Sequence, residues 1–589
     1  MMKYTISFNR PQERLVKVEI ETQVTPGPVR FFLPKWRPGR YELQAYPKNV
    51  SDVTARDIDG NAMRIEKIST HCWEVNVTEE TTLTVTYLYF ANVPDAGGSY
   101  FDDKRIYVNG INLFMYRQEL IDSPCELTIS LPGNYILAGG FAGEGPVYHL
   151  ENFHQLVDTP FLAGEDLIHH PFEIAGIPTH LWFQGECRPD LEKMEADIRN
   201  YTQAQLAVYG EFPVDEYHYL YVMLPYHFRH GVEHHNSTVI AMGPGHQLMT
   251  PAMYKSWLEI SSHELFHTWN VKALRPADMY PYRYDGENYS KLHYITEGVT
   301  TYYGDLMIWK GGIWTPQQWI NSINGELSTH YNMGGMAYIS LEEASFQSWV
   351  NGYQKTGTPN RRISFYTKGY IVSLLLDVEI RQATGNEFSL DNVMWEMYHT
   401  IAKAGRGYTG KDYRRIIEGI SGQDFGPFFD KYVSGTYSLE QALIRLGEYM
   451  GMDLYMIQPN DPGEAWWGMK TTVNAQGDTM IESLLPGSSL LAAGLAEEDE
   501  IISINGMKVE GNLNDLLRYF SDTPEQDIEI HYFHMNQLHT AKIAVNTGFY
   551  RMIPQFALKS TLTEAQRKNM ELWQKITVGA VKELYEKND

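Results

Sequence analysis

Cysteine is scarce in this chain: Cys72, Cys125 and Cys187 are the only three in 589 residues, and they lie far apart. That excludes a disulfide framework and a cysteine-built zinc site. Long apolar runs are missing too. None reaches the roughly 18 to 20 residues of a membrane span, and the most apolar helical stretch is interrupted by Lys368 and Asp377. Positive charge is short, with 48 Lys and Arg against 73 Asp and Glu and a net charge of −25. Such a surface argues against nucleic acid or an anionic membrane as partner, whereas a peptide with a cationic N-terminus is not repelled. Lys3 is followed by strand-like alternation, Tyr4-Thr5-Ile6-Ser7-Phe8, with no signal-peptide core. The expected compartment is the cytoplasm, or the periplasm or exterior if a signal peptide was removed.

The length calls for several cores, roughly three to five. The pattern predicts a multidomain α+β protein. Residues 1–165 read as a β-sandwich, with runs such as Val16-Lys17-Val18-Glu19-Ile20 and Thr82 to Tyr87 set between turn residues. In it, Trp36-Arg37-Pro38-Gly39-Arg40-Tyr41 reads as a packed turn rather than a substrate-binding element. A second unit, 166–455, has a sheet part up to about 249, resuming after Pro171 with a strand at Thr179–Phe183. A helix at Leu191–Tyr209 and a strand at Tyr217–Leu224 come next. Arg229 to Asn236 then lies where an edge strand would line a cleft. From 250 the text is helical, with starts expected at Thr250-Pro251, Thr315-Pro316, Ser389, Thr409 and Ser438, and a long helix over Tyr366–Thr384. Residues 456–548 return to strands, and 549–589 form a tail with a helix over about Thr563–Lys587.

The pattern that carries chemistry is Ser262-His263-Glu264-Leu265-Phe266-His267. Four residues apart on a helix, His263 and His267 face the same way and can offer two imidazoles to one zinc ion. Glu264 points about 100° round the helix, where it can take a proton from a water at that ion. A zinc hydrolase needs a third protein ligand and an open fourth position. Glu297 suits this, since it opens a helix after a loop long enough to return it to the first, and Gly298 permits close packing. Asp278, Asp285, Glu287 and His293 are the alternatives.

With these residues in view, His263 to Lys272, Arg275-Pro276 and Thr296-Glu297-Gly298-x-Thr300-x-Tyr302-Tyr303 resemble the glycyl aminopeptidase family of gluzincin metallopeptidases. Trp36 to Tyr41 is similar to the Trp-x-Pro-Gly-x-Tyr signature of its N-terminal β-domain. Pro486-Gly487-Ser488 to Asn505-Gly506 resembles a PDZ domain, with Trp466-Trp467-Gly468-Met469 as its carboxylate loop. The resemblance implies a thermolysin-like catalytic domain, one zinc ion, and removal of small N-terminal residues such as Gly or Ala from peptides. It implies that Glu233, within Gly231-Val232-Glu233-His234, holds the substrate's amino terminus; where the family commonly has two glycines, this chain has His230-Gly231. It further implies that Tyr366, in Tyr366-Thr367-Lys368-Gly369, stabilises the oxyanion, with Tyr370 as rival. Competing readings are a zinc endopeptidase indifferent to the amino terminus, and a peptide-binding scaffold whose PDZ-like unit takes a partner or a peptide C-terminus and whose zinc is structural.

Overall fold

The computed structural model describes residues 1–143, 145–353, 360–521, 527–544, 552–576 and 578. The N-terminal unit is β-rich as expected, its strands shared among three hydrogen-bonded sheets of seven, four and three strands. Alternation builds it: in Thr81–Phe90 every second residue from Leu83 to Tyr89 is buried. All three cysteines are free thiols.

The next sheet positions the site. Its strands are β1 (Ile168–Ile174), β2 (Ile177–Gln184), β3 (Tyr217–Met223), β4 (Phe228–Glu233) and β5 (Ser237–Gly243), in the order β1-β2-β3-β5-β4. Pro171 lies inside β1, paired with His180, so a strand of this sheet already precedes the one expected at Thr179–Phe183. β3 and β5 are buried throughout because the sheet is covered twice. Leu220, Val222, Val239 and Ala241 pack on Tyr107, Ala138 and Leu162 of the N-terminal unit. The alternate residues Tyr219, Tyr221, Ile240 and Met242 belong to the main core with Ile198, Trp257 and Leu258. β4 runs antiparallel to β5 at the sheet edge, as expected, with Glu233 opposite Thr238.

The helices follow the chain: α1 (Leu191–Tyr209), α2 (Pro251–Phe266), α3 (Thr300–Lys310), α4 (Pro316–Tyr331), α5 (Phe365–Ala383), α6 (Leu390–Met397), α7 (Gly410–Ser421) and α8 (Glu440–Met450). Thr315, Ser389 and Thr409 cap α4, α6 and α7 with their hydroxyls and close capping boxes. Thr250 is the N-cap residue of α2, with Pro251 first in the helix as expected, but its side chain makes no capping bond and its hydroxyl donates to the Gln247 carbonyl at 2.8 Å. No helix among the described residues is long and apolar enough to cross a membrane.

Residues from Pro462 to Ala544 form a small unit around Trp467, Met469, Ile501, Ile504 and Ile530. The expected carboxylate loop is not open. Trp466 and Trp467 end a helix, Pro462–Trp467, closed by Gly468 at φ +59°, and Trp467 is in the core. The tail also differs from a free helix. It opens with strand Ile553–Leu558, paired to Met452–Ile457, and its helix runs Glu564–Gln574, with Lys575 already extended. The expected continuation over 579–587 lies outside the described residues. Trp573 donates to Asp377 on α5 at 3.1 Å, and buried Asp377 also takes Tyr302 at 2.7 Å and Arg381 at 3.1 Å, so the tail is part of the helical body.

Candidate metal and substrate site

His263 lies in the last turn of α2, and His267 immediately follows it. From Thr268 the backbone widens into a π-helix, broken at Asn270 with φ −110° and ψ 84°. That break turns the Asn270 carbonyl back to His267, whose Nδ1 donates to it at 2.8 Å. Nε2 of His267 is thereby aimed at His263 Nε2, 3.1 Å away, with the two rings at 88°. Glu297 sits in a second π-helix, Tyr294–Val299, that runs directly into α3. Its Oε2 lies 3.4 Å from His267 Nε2 and 4.0 Å from His263 Nε2. Glycines permit this approach. A Cβ on Gly304 would meet His263 at 3.1 Å, so Gly304 brings α3 onto α2, while Gly298, expected in that role, packs instead on Gly369 of α5 at 2.5 Å.

These three side chains fit a zinc ion. Tetrahedral bonds of about 2.0–2.1 Å put donor atoms about 3.3 Å apart, close to the spacing here. The donor types are right, and the Nδ1 bond leaves His267 Nε2 free as a ligand. Burial keeps His263 deprotonated, well below the usual imidazole range. Burial also opposes protonation of His267, but the Glu297 carboxylate outweighs it and lifts the imidazole to about 10; an entering cation displaces that proton. Asp278, Asp285, Glu287 and His293 do not join the group. A second group, His180, Glu216 and His218, also brings ligand atoms within 4.8 Å. Its rings stack at 10°, so their lone pairs do not converge, and His218 Nδ1 accepts from Trp182 Nε1 at 3.2 Å.

A cleft of about 710 Å³ opens over the three ligands, lined by Gly231, Glu233, Glu264 and Tyr366 among others. Val232 alternates away from it and joins the core behind the sheet. Glu264 and Glu233 come within 4.8 Å of His267. Burial, reinforced by Glu233 and Glu297, raises Glu264 to about 8. One oxygen of each, Glu264 Oε2 and Glu233 Oε1, is buried without a hydrogen-bond partner among the described residues. Tyr366 enters at the start of α5, its hydroxyl 3.4 Å from that of Tyr353. Burial and nearby Glu297 hold its phenol protonated, so it can donate. Tyr370 is buried and does not line the cleft.

The turn over 36–41 is packed, as expected, but it also reaches the site. Tyr41 donates to Glu297 Oε1 at 2.9 Å, and a Cβ on Gly39 would lie 2.4 Å from Glu233 Oε2. Tyr41, Gly39 and Tyr353 were not singled out from sequence as site residues. The only local signal was the turn signature at Trp36 to Tyr41.

Residues 3–165 match the model of the peptidase M61 N-terminal domain, and residues 256–372 match that of the M61 glycyl aminopeptidase. The chain carries both M61 peptidase domains. It is therefore an enzyme of the zinc metalloaminopeptidase class. The chain is similar in fold to the crystal structure of an aminopeptidase N family protein from Idiomarina loihiensis, at 24% identity and a TM-score of 0.88, covering 98% of this chain and 100% of that one. A weaker likeness links it to an M1 zinc metallopeptidase from Deinococcus radiodurans, at 12% identity and a TM-score of 0.46, covering 74% and 94%. No curated protein matches the sequence.

Proposed function

We propose that this M61 peptidase is a zinc-dependent aminopeptidase that hydrolyses the first peptide bond of peptides and favours small N-terminal residues such as Gly or Ala. The observation that carries it is the placement of Glu233, buried at the cleft edge beside the His263, His267 and Glu297 triad and backed by Gly39. A carboxylate there suits an ammonium group, and the Pro38-Gly39 turn stands directly behind it, so close that a Cβ on Gly39 would lie 2.4 Å from Glu233 Oε2. An endopeptidase has no need of a carboxylate that reads a free amino terminus. The glycyl preference rests on the matched family.

Zinc held by His263, His267 and Glu297 would polarise the scissile carbonyl and lower the pKa of water towards about 7. Glu264, one position along α2 from His263, accepts the proton of the attacking water and passes it to the leaving amine. Tyr366 donates to the oxygen on which charge develops, an effect of roughly 3 kcal/mol for such donors. Glu233 orients the substrate through its free amino terminus. A structural zinc in a scaffold would have no use for the cleft or for Glu264. The unit from Pro462 to Ala544 takes no part in these steps.

The test is hydrolysis of Gly- and Ala-peptides, free and N-acetylated, by the zinc-loaded enzyme and by Glu264→Gln. Acetylation should abolish cleavage and Glu264→Gln should reduce it by at least 100-fold with zinc retained. Equal rates on blocked and free peptides would remove Glu233 from its role, and full activity of the variant would remove Glu264.

A further inference from the structure

The N-terminal β unit touches the catalytic residues through one turn, and three contacts fix it there. Trp36 Nε1 donates to the Arg283 carbonyl at 2.6 Å, in the loop before Glu297. Buried Arg37 reaches His230 Nε2 on β4 at 3.1 Å. Tyr41, fully buried, stacks on His293 with ring centroids 3.6 Å apart and places its hydroxyl 2.9 Å from Glu297 Oε1, a residue 256 positions further along the chain.

The two carboxylate oxygens of Glu297 are thus divided. Oε2 faces the imidazoles, while Oε1 accepts from Tyr41. A carboxylate free to rotate could turn either oxygen, or both, toward a cation. Here one oxygen is engaged from behind by a rigid, stacked ring, and only the other is presented. Such a donor fixes both orientation and charge, as the partners of metal ligands commonly do. Thr301 Oγ1 bonds the Glu297 backbone carbonyl at 2.7 Å and cannot do this for the carboxylate.

We propose that Tyr41 is a positioning residue for the metal centre, so that the N-terminal β unit completes the zinc site by holding Glu297 in its ligating orientation. This rests on the zinc reading above and adds a requirement to it: the centre is assembled from both M61 domains and not from the catalytic one alone.

The experiment measures zinc affinity of the full chain by chelator competition for wild type, Tyr41→Phe and Glu297→Gln, with the metal-free melting temperature of each. Tyr41→Phe keeps the ring and its stacking. It should weaken zinc binding 10- to 100-fold while leaving the metal-free melting temperature near wild type, and Glu297→Gln should weaken it more. Wild-type affinity in Tyr41→Phe alongside weak binding in Glu297→Gln would overturn this inference and leave the zinc site standing. Wild-type affinity in both would overturn the zinc site itself. If Tyr41→Phe does not fold, 3-fluorotyrosine placed at position 41 supplies the answer by fluorine NMR. Its resonance should move on adding one equivalent of zinc, and an unmoved resonance would overturn the inference.

Discussion

Gly231 offers the sharpest probe of the proposed chemistry, because the three atoms nearest to a methyl group there all belong to Glu264. A Cβ on Gly231 would lie 2.1 Å from Glu264 Oε1 and 2.6 Å from its Cδ, where ordinary contact begins at 3.4 Å. The carboxylate must therefore retreat by the difference, about 1.3 Å. It can do so cheaply, since it is the end of a flexible side chain, and Gly231 does not sit at positive φ, so alanine brings no backbone strain. A displacement of about 1 Å in a reacting group costs on the order of 100-fold in rate, or about 2.7 kcal/mol in the barrier. Gly231→Ala should thus fold with wild-type stability to within about 1 kcal/mol, bind zinc as wild type does, and lose about 100-fold in kcat on Gly- and Ala-peptides. Steady-state kinetics with zinc quantification and thermal melting read all three. A kcat within threefold of wild type would refute the placement of Glu264 as base, and a parallel loss of zinc would refute the separation of base from ligands.

Two further substitutions test the surrounding framework. Burial alone would raise Asp158, but Lys272 at 2.6 Å and His234 at 3.2 Å hold it well below the usual carboxylate range; its stabilisation is therefore present above about pH 4 and is lost as pH falls. Asp158→Asn should lower unfolding free energy by about 3 kcal/mol at pH 7, with the gap to wild type closing in acid, as denaturant titrations at each pH would show. Lys368 is 2% exposed, and burial pushes its ammonium down to about 8 from 10.5. Because the unfolded chain binds the proton more tightly, stability rises as pH climbs from 8 to 10.5. The gain of Lys368→Met over wild type should then be about 3 kcal/mol larger at pH 7 than above pH 10.5, and a gap independent of pH would show that Lys368 is solvated.

The secondary structure around the site was legible because it is local. Thr315, Ser389 and Thr409 announced their helices through side chains that bond the next turn, and α1 was marked by apolar spacing alone. The detail was not legible where a group had two options. Thr250 stands at the N-cap of α2, yet its hydroxyl makes no capping bond and donates to Gln247. Trp466 and Trp467 suited a binding loop, but a large apolar ring gains more from burial, and Trp467 lies in the core. The tail looked like a lone charged helix because strand Ile553–Leu558 finds its partner only across the intervening small unit.

The same division holds at the metal centre. Sequence alone determined that His263 and His267 share a face and that Glu264 stands beside them, since the pitch of a helix fixes those directions. The tertiary structure decided the rest: Glu297 joins the histidines because Gly304 and Gly298 let helices touch, Glu233 arrives on an edge strand, and Tyr41 comes from 256 residues before Glu297. No periodicity encodes such meetings. They are set by which buried surfaces pack together, and that is a property of the whole fold.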